Sequence, residues 1–255
     1  MTSTPKTLII GNWKMNLNVH QASLYIHHLS EAVAVHNNVE VVLAPPSLTL
    51  QSLSLQVKRR QFKLAAQNVY WRDEGAFTGE ISASMLRGVA EYVIVGHSER
   101  RHIFGETNKD VRSKIQAVLR NDLTPILCVG ETADERMAGE TKHVLHDQVV
   151  GGLTNVTSDE ISRVIIAYEP VWAIGTGKNA TTYDAIEAAN LIRHQVSGLF
   201  GKSAASGISV LYGGSVTGDN AKSYLSQKEI NGLLVGGASL KLNDFTKIIQ
   251  AGHKK

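Results

Sequence analysis

Eight short runs of apolar and β-branched residues recur along the chain, each followed by a segment with helical periodicity. The strand candidates are residues 7–11, 39–44, 62–66, 92–95, 125–129, 164–167, 209–211 and 232–235. Helical patterns fall between them at 20–36, 47–58, 82–87, 109–120, 135–150, 181–199, 221–226 and 240–250. Strands this uniformly apolar are buried on both faces, which means parallel strands covered by helices. Eight such units with no linker-like break in composition predict one α/β domain, a closed (β/α)8 barrel. An open doubly wound sheet is the competing arrangement.

In a barrel of this kind every strand points its C-terminal end at one rim, where the active site is built. The residues at those ends are unusually polar or glycine-rich. The first strand leads into Asn12-Trp13-Lys14, the third into Gln67-Asn68, and the fourth into Gly96-His97-Ser98-Glu99-Arg100-Arg101. The sixth ends at Glu169, the seventh at Gly213-Gly214-Ser215 and the eighth at Gly236-Gly237.

Each of these has a chemical reading. Two glycine-rich βα turns at consecutive strands favour a phosphate site, because glycine lets backbone N–H groups approach an anion; two merely tight turns are the alternative. Among ten histidines, His97 alone follows a strand directly and precedes a helix start. Helix N-termini disfavour the imidazolium, so His97 is expected to be neutral and able to donate a hydrogen bond. Glu169 is a candidate base and Lys14 a candidate cation aimed at the rim centre. Glu99 is expected to form ion pairs that orient its neighbours, with Arg100 and Arg101 available to it. Residues 170–178, a Pro, an apolar segment with Trp172 and two glycines, have the form of a lid. Together these suit proton abstraction beside a carbonyl in a small phosphorylated sugar.

Other classes fit poorly. A net charge of +3, scattered along the chain, argues against nucleic acid as a partner. No run approaches the roughly 20 apolar residues needed to cross a bilayer, so no membrane association is expected. The start of the chain is too poor in apolar residues for a secretory signal. The single cysteine, Cys128, lies in an apolar strand, excludes an intrachain disulfide and fits a reducing, cytoplasmic setting. Neither His-x-x-x-His nor Cys-x-x-Cys occurs, so no metal is expected. Gly175-Thr176-Gly177-Lys178-Asn179-Ala180 fits a dinucleotide pattern, yet its first glycine does not follow the strand directly, and no nucleotide cofactor is expected.

The sequence resembles the triosephosphate isomerase family. The matching stretches are Gly11-Asn12-Trp13-Lys14-Met15-Asn16, Gly75-Ala76-Phe77-Thr78-Gly79-Glu80, Gly96-His97-Ser98-Glu99-Arg100-Arg101, residues 167–178, Leu211-Tyr212-Gly213-Gly214-Ser215-Val216, and Val235-Gly236-Gly237-Ala238-Ser239-Leu240. They run from the first strand to the last helix. The resemblance implies a single-domain TIM barrel. It also implies cofactor-free interconversion of dihydroxyacetone phosphate and glyceraldehyde 3-phosphate through an enediolate, in glycolysis and gluconeogenesis. By the same resemblance Glu169 is the base, His97 the electrophile, Lys14 and Asn12 the substrate-facing cation and its helper, and Glu99 an auxiliary residue. Gly175, Ser215, Gly236 and Gly237 supply groups to the phosphate. A homodimer is implied, docked through residues 75–80, with Phe77 and Thr78 at the loop tip. Asn179 and Leu50 depart from the family's usual residues without touching this chemistry.

Overall fold

The computed structural model describes residues 6–35, 37–174 and 179–253. Its strands are β1 (Thr7–Asn12), β2 (Val39–Ala44), β3 (Phe62–Ala66), β4 (Tyr92–Val95), β5 (Thr124–Val129), β6 (Ile165–Tyr168), β7 (Ser209–Tyr212) and β8 (Gly232–Val235). All neighbours pair in parallel in sequence order, and β8 pairs back onto β1 through Leu8 opposite Gly232, so the sheet closes. The expected (β/α)8 barrel is what the chain forms.

Alternate strand residues point to opposite faces. One set, including Leu8, Ile10, Val42, Ile94, Ile126, Cys128, Ala167 and Leu234, fills the barrel. The other, including Ile9, Val41, Leu43, Leu64, Val93, Val95, Leu127 and Ile166, packs under the helices. Both faces are therefore dry, which explains strands without a polar alternation. Cys128 is buried in the inner layer, as its apolar setting implied.

The helices are α1 (Val19–Ala32), α2 (Ser47–Ser54), α3 (Ala83–Leu86), α4 (Ser98–His102), α5 (Asn108–Arg120), α6 (Ala133–Met137), α7 (Thr141–Leu153), α8 (Thr182–Gly207), α9 (Ala221–Leu225) and α10 (Leu242–His253). Several differ from the periodicity reading. The single helix expected at 135–150 is two, separated at Gly139, whose φ of 75° no helix accommodates. The helix expected to begin at 240 begins at Leu242, after the 3-10 turn Gly237–Leu240. The first ends at Ala32, where Val33 turns extended and buries its side chain. The helix expected at 181–199 runs on to Gly207, with a break at Gly201. No helix among the described residues is long and apolar enough to cross a membrane.

Candidate active site

Lys14 reaches the rim through a strained backbone. Its φ is 53°, in the left-handed region that a non-glycine residue occupies at a cost of about 1–3 kcal/mol. Two hydrogen bonds fasten its backbone there, and a third ties one of the donors to β2. The Lys14 N–H donates to Asn12 Oδ1 (3.0 Å), and Gln67 Nε2 donates to the carbonyls of Lys14 (2.9 Å) and Ala44 (2.7 Å). The ammonium lies 2.6 Å from Glu99 Oε1. Glu99 does form an ion pair, but with Lys14 and with neither adjacent arginine. Arg100 goes to Glu106 and Arg101 to the carbonyls of Gly96 and Cys128 and to Asn108.

His97 caps the short helix α4. Gly96, at φ 70°, makes the turn out of β4 that presents it. The Glu99 N–H donates to His97 Nδ1 at 3.3 Å, which leaves the proton of the neutral ring on Nε2. That nitrogen lies 2.9 Å from Glu169 Oε1. Glu169 follows β6 and is buried, its other carboxylate oxygen accepting the Ser98 N–H at 2.9 Å. Its own N–H donates to the Val129 carbonyl, and Gly130 is the residue that makes room. A Cβ on Gly130 would stand 1.7 Å from the Glu169 carbonyl oxygen.

The two side chains displace each other's pKa values in opposite directions. Burial pushes the Glu169 carboxyl up, but the His97 ring, the Ser98 N–H and the Lys14 ammonium together bring it below the ordinary range. For His97, burial lowers the pKa, while Glu169 and then Glu99 raise it by more, so the net direction is upward. Glu169 therefore weighs on the ring more than the helix terminus does, while the Glu99 N–H on Nδ1 is the hydrogen bond of the neutral imidazole. A carboxylate 2.9 Å away outweighs the partial charge of a five-residue helix.

Across a cavity of about 420 Å³ from these groups stand the turns after β7 and β8. Asn12, Lys14, His97, Glu169, Gly214, Ser215, Gly236 and Gly237 all line it. The Gly213 N–H is committed to the Tyr168 carbonyl. Those of Ser215, Gly236 and Gly237 meet no acceptor among the described residues. Gly175, the remaining residue assigned to phosphate, lies outside the described residues, as do the three that follow it.

The family model described as triosephosphate isomerase matches residues 7–252. A triosephosphate isomerase of Citrifermentans bemidjiense is 48% identical over 246 residues, covering 96% of this chain and 98% of that protein. One of Geotalea uraniireducens is 45% identical over the same length and coverage. The chain belongs to the triosephosphate isomerase family.

One residue of this triosephosphate isomerase fold was not singled out from the sequence. Glu131 is fully buried just past β5. Its Oε1 accepts from Tyr168 Oη (3.0 Å) and Trp172 Nε1 (2.9 Å) and lies 3.2 Å from Arg136 Nη1, while its carbonyl accepts the Val171 N–H. Arg136 in turn stacks over the Trp172 ring at 4.3 Å and bonds Asp184. Glu131 thus grips both the end of β6 and the segment after Glu169. The signal was available: Gly130-Glu131 is an acid at a strand's C-terminal end, as Glu169 is.

A second cavity, about 570 Å³, opens beside the first, shares Asn12, Lys14 and His97 with it, and is lined by Glu99 as well. Met15, Leu50, Met85, Leu86 and Phe104 add apolar lining, and Met15 is 95% exposed. Within residues 75–80, Phe77 folds back on Tyr70 (ring centroids 4.6 Å) yet stays 39% exposed, and Thr78 is exposed.

Proposed function

We propose that the protein interconverts dihydroxyacetone phosphate and D-glyceraldehyde 3-phosphate by proton transfer through an enediolate. The observation that carries this is the convergence of a buried carboxylate, an imidazole N–H, an ammonium and three N–H groups without acceptors on one cavity. A phosphate on the N–H groups of Ser215, Gly236 and Gly237, with Gly175 added by sequence, leaves a three-carbon chain to reach Glu169. Glu169 takes the proton from the carbon beside the carbonyl and returns one to the neighbouring carbon. His97 Nε2–H and the Lys14 ammonium stabilise the oxyanion, with Glu99 holding that ammonium and Asn12 the Lys14 backbone. Triosephosphate isomerases are a standard example of this glutamate and imidazole pairing.

As the groups stand, Glu169 is engaged by Ser98 and His97. To act as a base the carboxylate must leave both donors and turn to the substrate. That separation also removes the charge that raises the His97 pKa, and burial with the Glu99 N–H then favours the neutral ring. The electrophile with substrate bound is thus the neutral imidazole, donating from Nε2. Residues 170–178 serve as the lid, their Trp172 anchored on Glu131.

The protein acts as a homodimer in the cytoplasm. The partner's residues 75–80, with Phe77 and Thr78 at the tip, fill the apolar cavity beside Lys14 and Glu99. Its exposed methionine and phenylalanine lining supports that reading. The reduced, buried Cys128 supports the reducing compartment.

The test is direct. Purified protein in the presence of a chelator, with no nucleotide, is given glyceraldehyde 3-phosphate and assayed for dihydroxyacetone phosphate. Rapid conversion is expected. A folded protein that binds inorganic phosphate and converts nothing would make it a silent phosphate-binding barrel instead.

A further inference from the structure

On the outer face of α1, remote from the rim, three ligand-bearing side chains meet. His27, His28 and Glu31 are all exposed, and their ligand atoms lie within 4.8 Å of one another. His27 Nε2 is 3.5 Å from Glu31 Oε1, and His28 Nδ1 is 3.8 Å from Glu31 Oε2. The helix dictates this meeting. Glu31 follows His27 by four residues and His28 by three, the two separations that bring side chains together on a helix surface.

We propose that His27, His28 and Glu31 form a surface site for one borderline divalent cation, of which zinc is the working example. Imidazole and carboxylate ligands at about 2.0–2.2 Å in a tetrahedron leave ligand atoms about 3.4 Å apart. The two His–Glu separations, 3.5 and 3.8 Å to different carboxylate oxygens, are close to that edge, and all three ligand atoms lie within 4.8 Å of one another, so side-chain rotation must draw the imidazoles together on one ion. Water completes the coordination, as in three-ligand zinc sites. Absence of His-x-x-x-His led to no metal being expected; here a carboxylate takes the second histidine's place in the same i, i+4 spacing.

The scaffold is firm enough to hold the three groups. Asn18 and Gln21 form a reciprocal capping box at the start of α1, and Ala22, Ile26 and Leu29 anchor its inner face in the core. The ligands stand on the opposite, solvent side. The bland account is a pair of surface His–Glu contacts, each worth little. The two accounts differ in whether a cation binds with defined stoichiometry.

The experiment is zinc titration of the untagged, chelator-stripped dimer by calorimetry, with His27→Gln and Glu31→Gln variants beside it. One saturable zinc per chain in the micromolar range is expected, with a rise in unfolding temperature on binding. Each variant should bind at least about tenfold more weakly, since even outer-shell partners of a metal ligand are worth about 10–100-fold. Both substitutions are on exposed positions and leave isomerase turnover in chelator unchanged, so the result is independent of the proposed reaction. No saturable binding, or binding unaltered in both variants, would overturn the site.

Discussion

His97 Nε2 lies 2.9 Å from Glu169 Oε1, so the proposed electrophile and base are hydrogen-bonded to each other. This arrangement stabilises a proton on the ring and its absence from the carboxylate. Both pKa values are therefore displaced, and they are displaced apart.

Displacement of that kind makes stability depend on pH in a definite sense. The lowered Glu169 pKa gives stability that is present above the ordinary glutamate range and lost as pH falls through the folded value. The raised His97 pKa gives stability present below the ordinary histidine range and lost as pH rises through its folded value. The pair thus contributes most between about pH 4.3 and 6.5, the ordinary values. Urea unfolding of wild type and Glu169→Gln across pH should show their largest difference there, shrinking on both sides. A difference that is flat with pH would show that the pair is not linked to folding.

Lys14 accepts backbone strain to place its ammonium at the rim. Lys14→Met should leave unfolding temperature nearly unchanged and lower turnover about 10²–10³-fold, the usual loss when one oxyanion-stabilising group goes. Steady-state kinetics beside a thermal melt checks both. Retained turnover would make the lysine a partner of Glu99 and nothing more.

Glu131 is an anchor rather than a reactant. In Glu131→Ala the buried Tyr168 hydroxyl loses Glu131 Oε1 as its acceptor, which costs about 1–3 kcal/mol, and Trp172 loses one of its bonds. Chemical denaturation should report that loss. Turnover should also fall, because the segment following Glu169 loosens. A variant as stable and as active as wild type would remove Glu131 from this role.

The cavity beside Lys14 and Glu99 predicts dependence of activity on the partner loop. Thr78→Arg places a charge at the loop tip and should give monomers by sedimentation. Turnover should fall on the order of 100-fold, the cost of ångström-scale misplacement of catalytic groups. Monomers of full activity would show that the loop plays no part in the site.

Much of this was legible in the residues. The eight apolar runs announce their strands because both faces are buried, and β2, β3, β4 and β8 begin and end where the pattern does. Asn12, Lys14, His97, Glu169, Ser215, Gly236 and Gly237 come to one cavity because strand ends in a parallel barrel share a rim. Glu99 reaches the neighbouring cavity and the Lys14 ammonium. Helix ends were less legible, since a helix stops where a single φ changes sign, as at Gly139, while periodicity averages over turns. The influence of Glu169 on His97 was out of view for a similar reason. Sequence shows the helix terminus beside it but not the carboxylate that arrives from 72 positions later.

The most direct test of the account is carbon-bound proton exchange. Dihydroxyacetone phosphate is incubated in D2O with chelator, and deuterium at its hydroxymethyl carbon is followed by NMR for wild type, Glu169→Gln and buffer alone. Rapid incorporation is predicted with wild type, and with Glu169→Gln a rate close to buffer while inorganic phosphate still binds. Incorporation by Glu169→Gln at the wild-type rate would contradict it, because some other group would then be removing the proton.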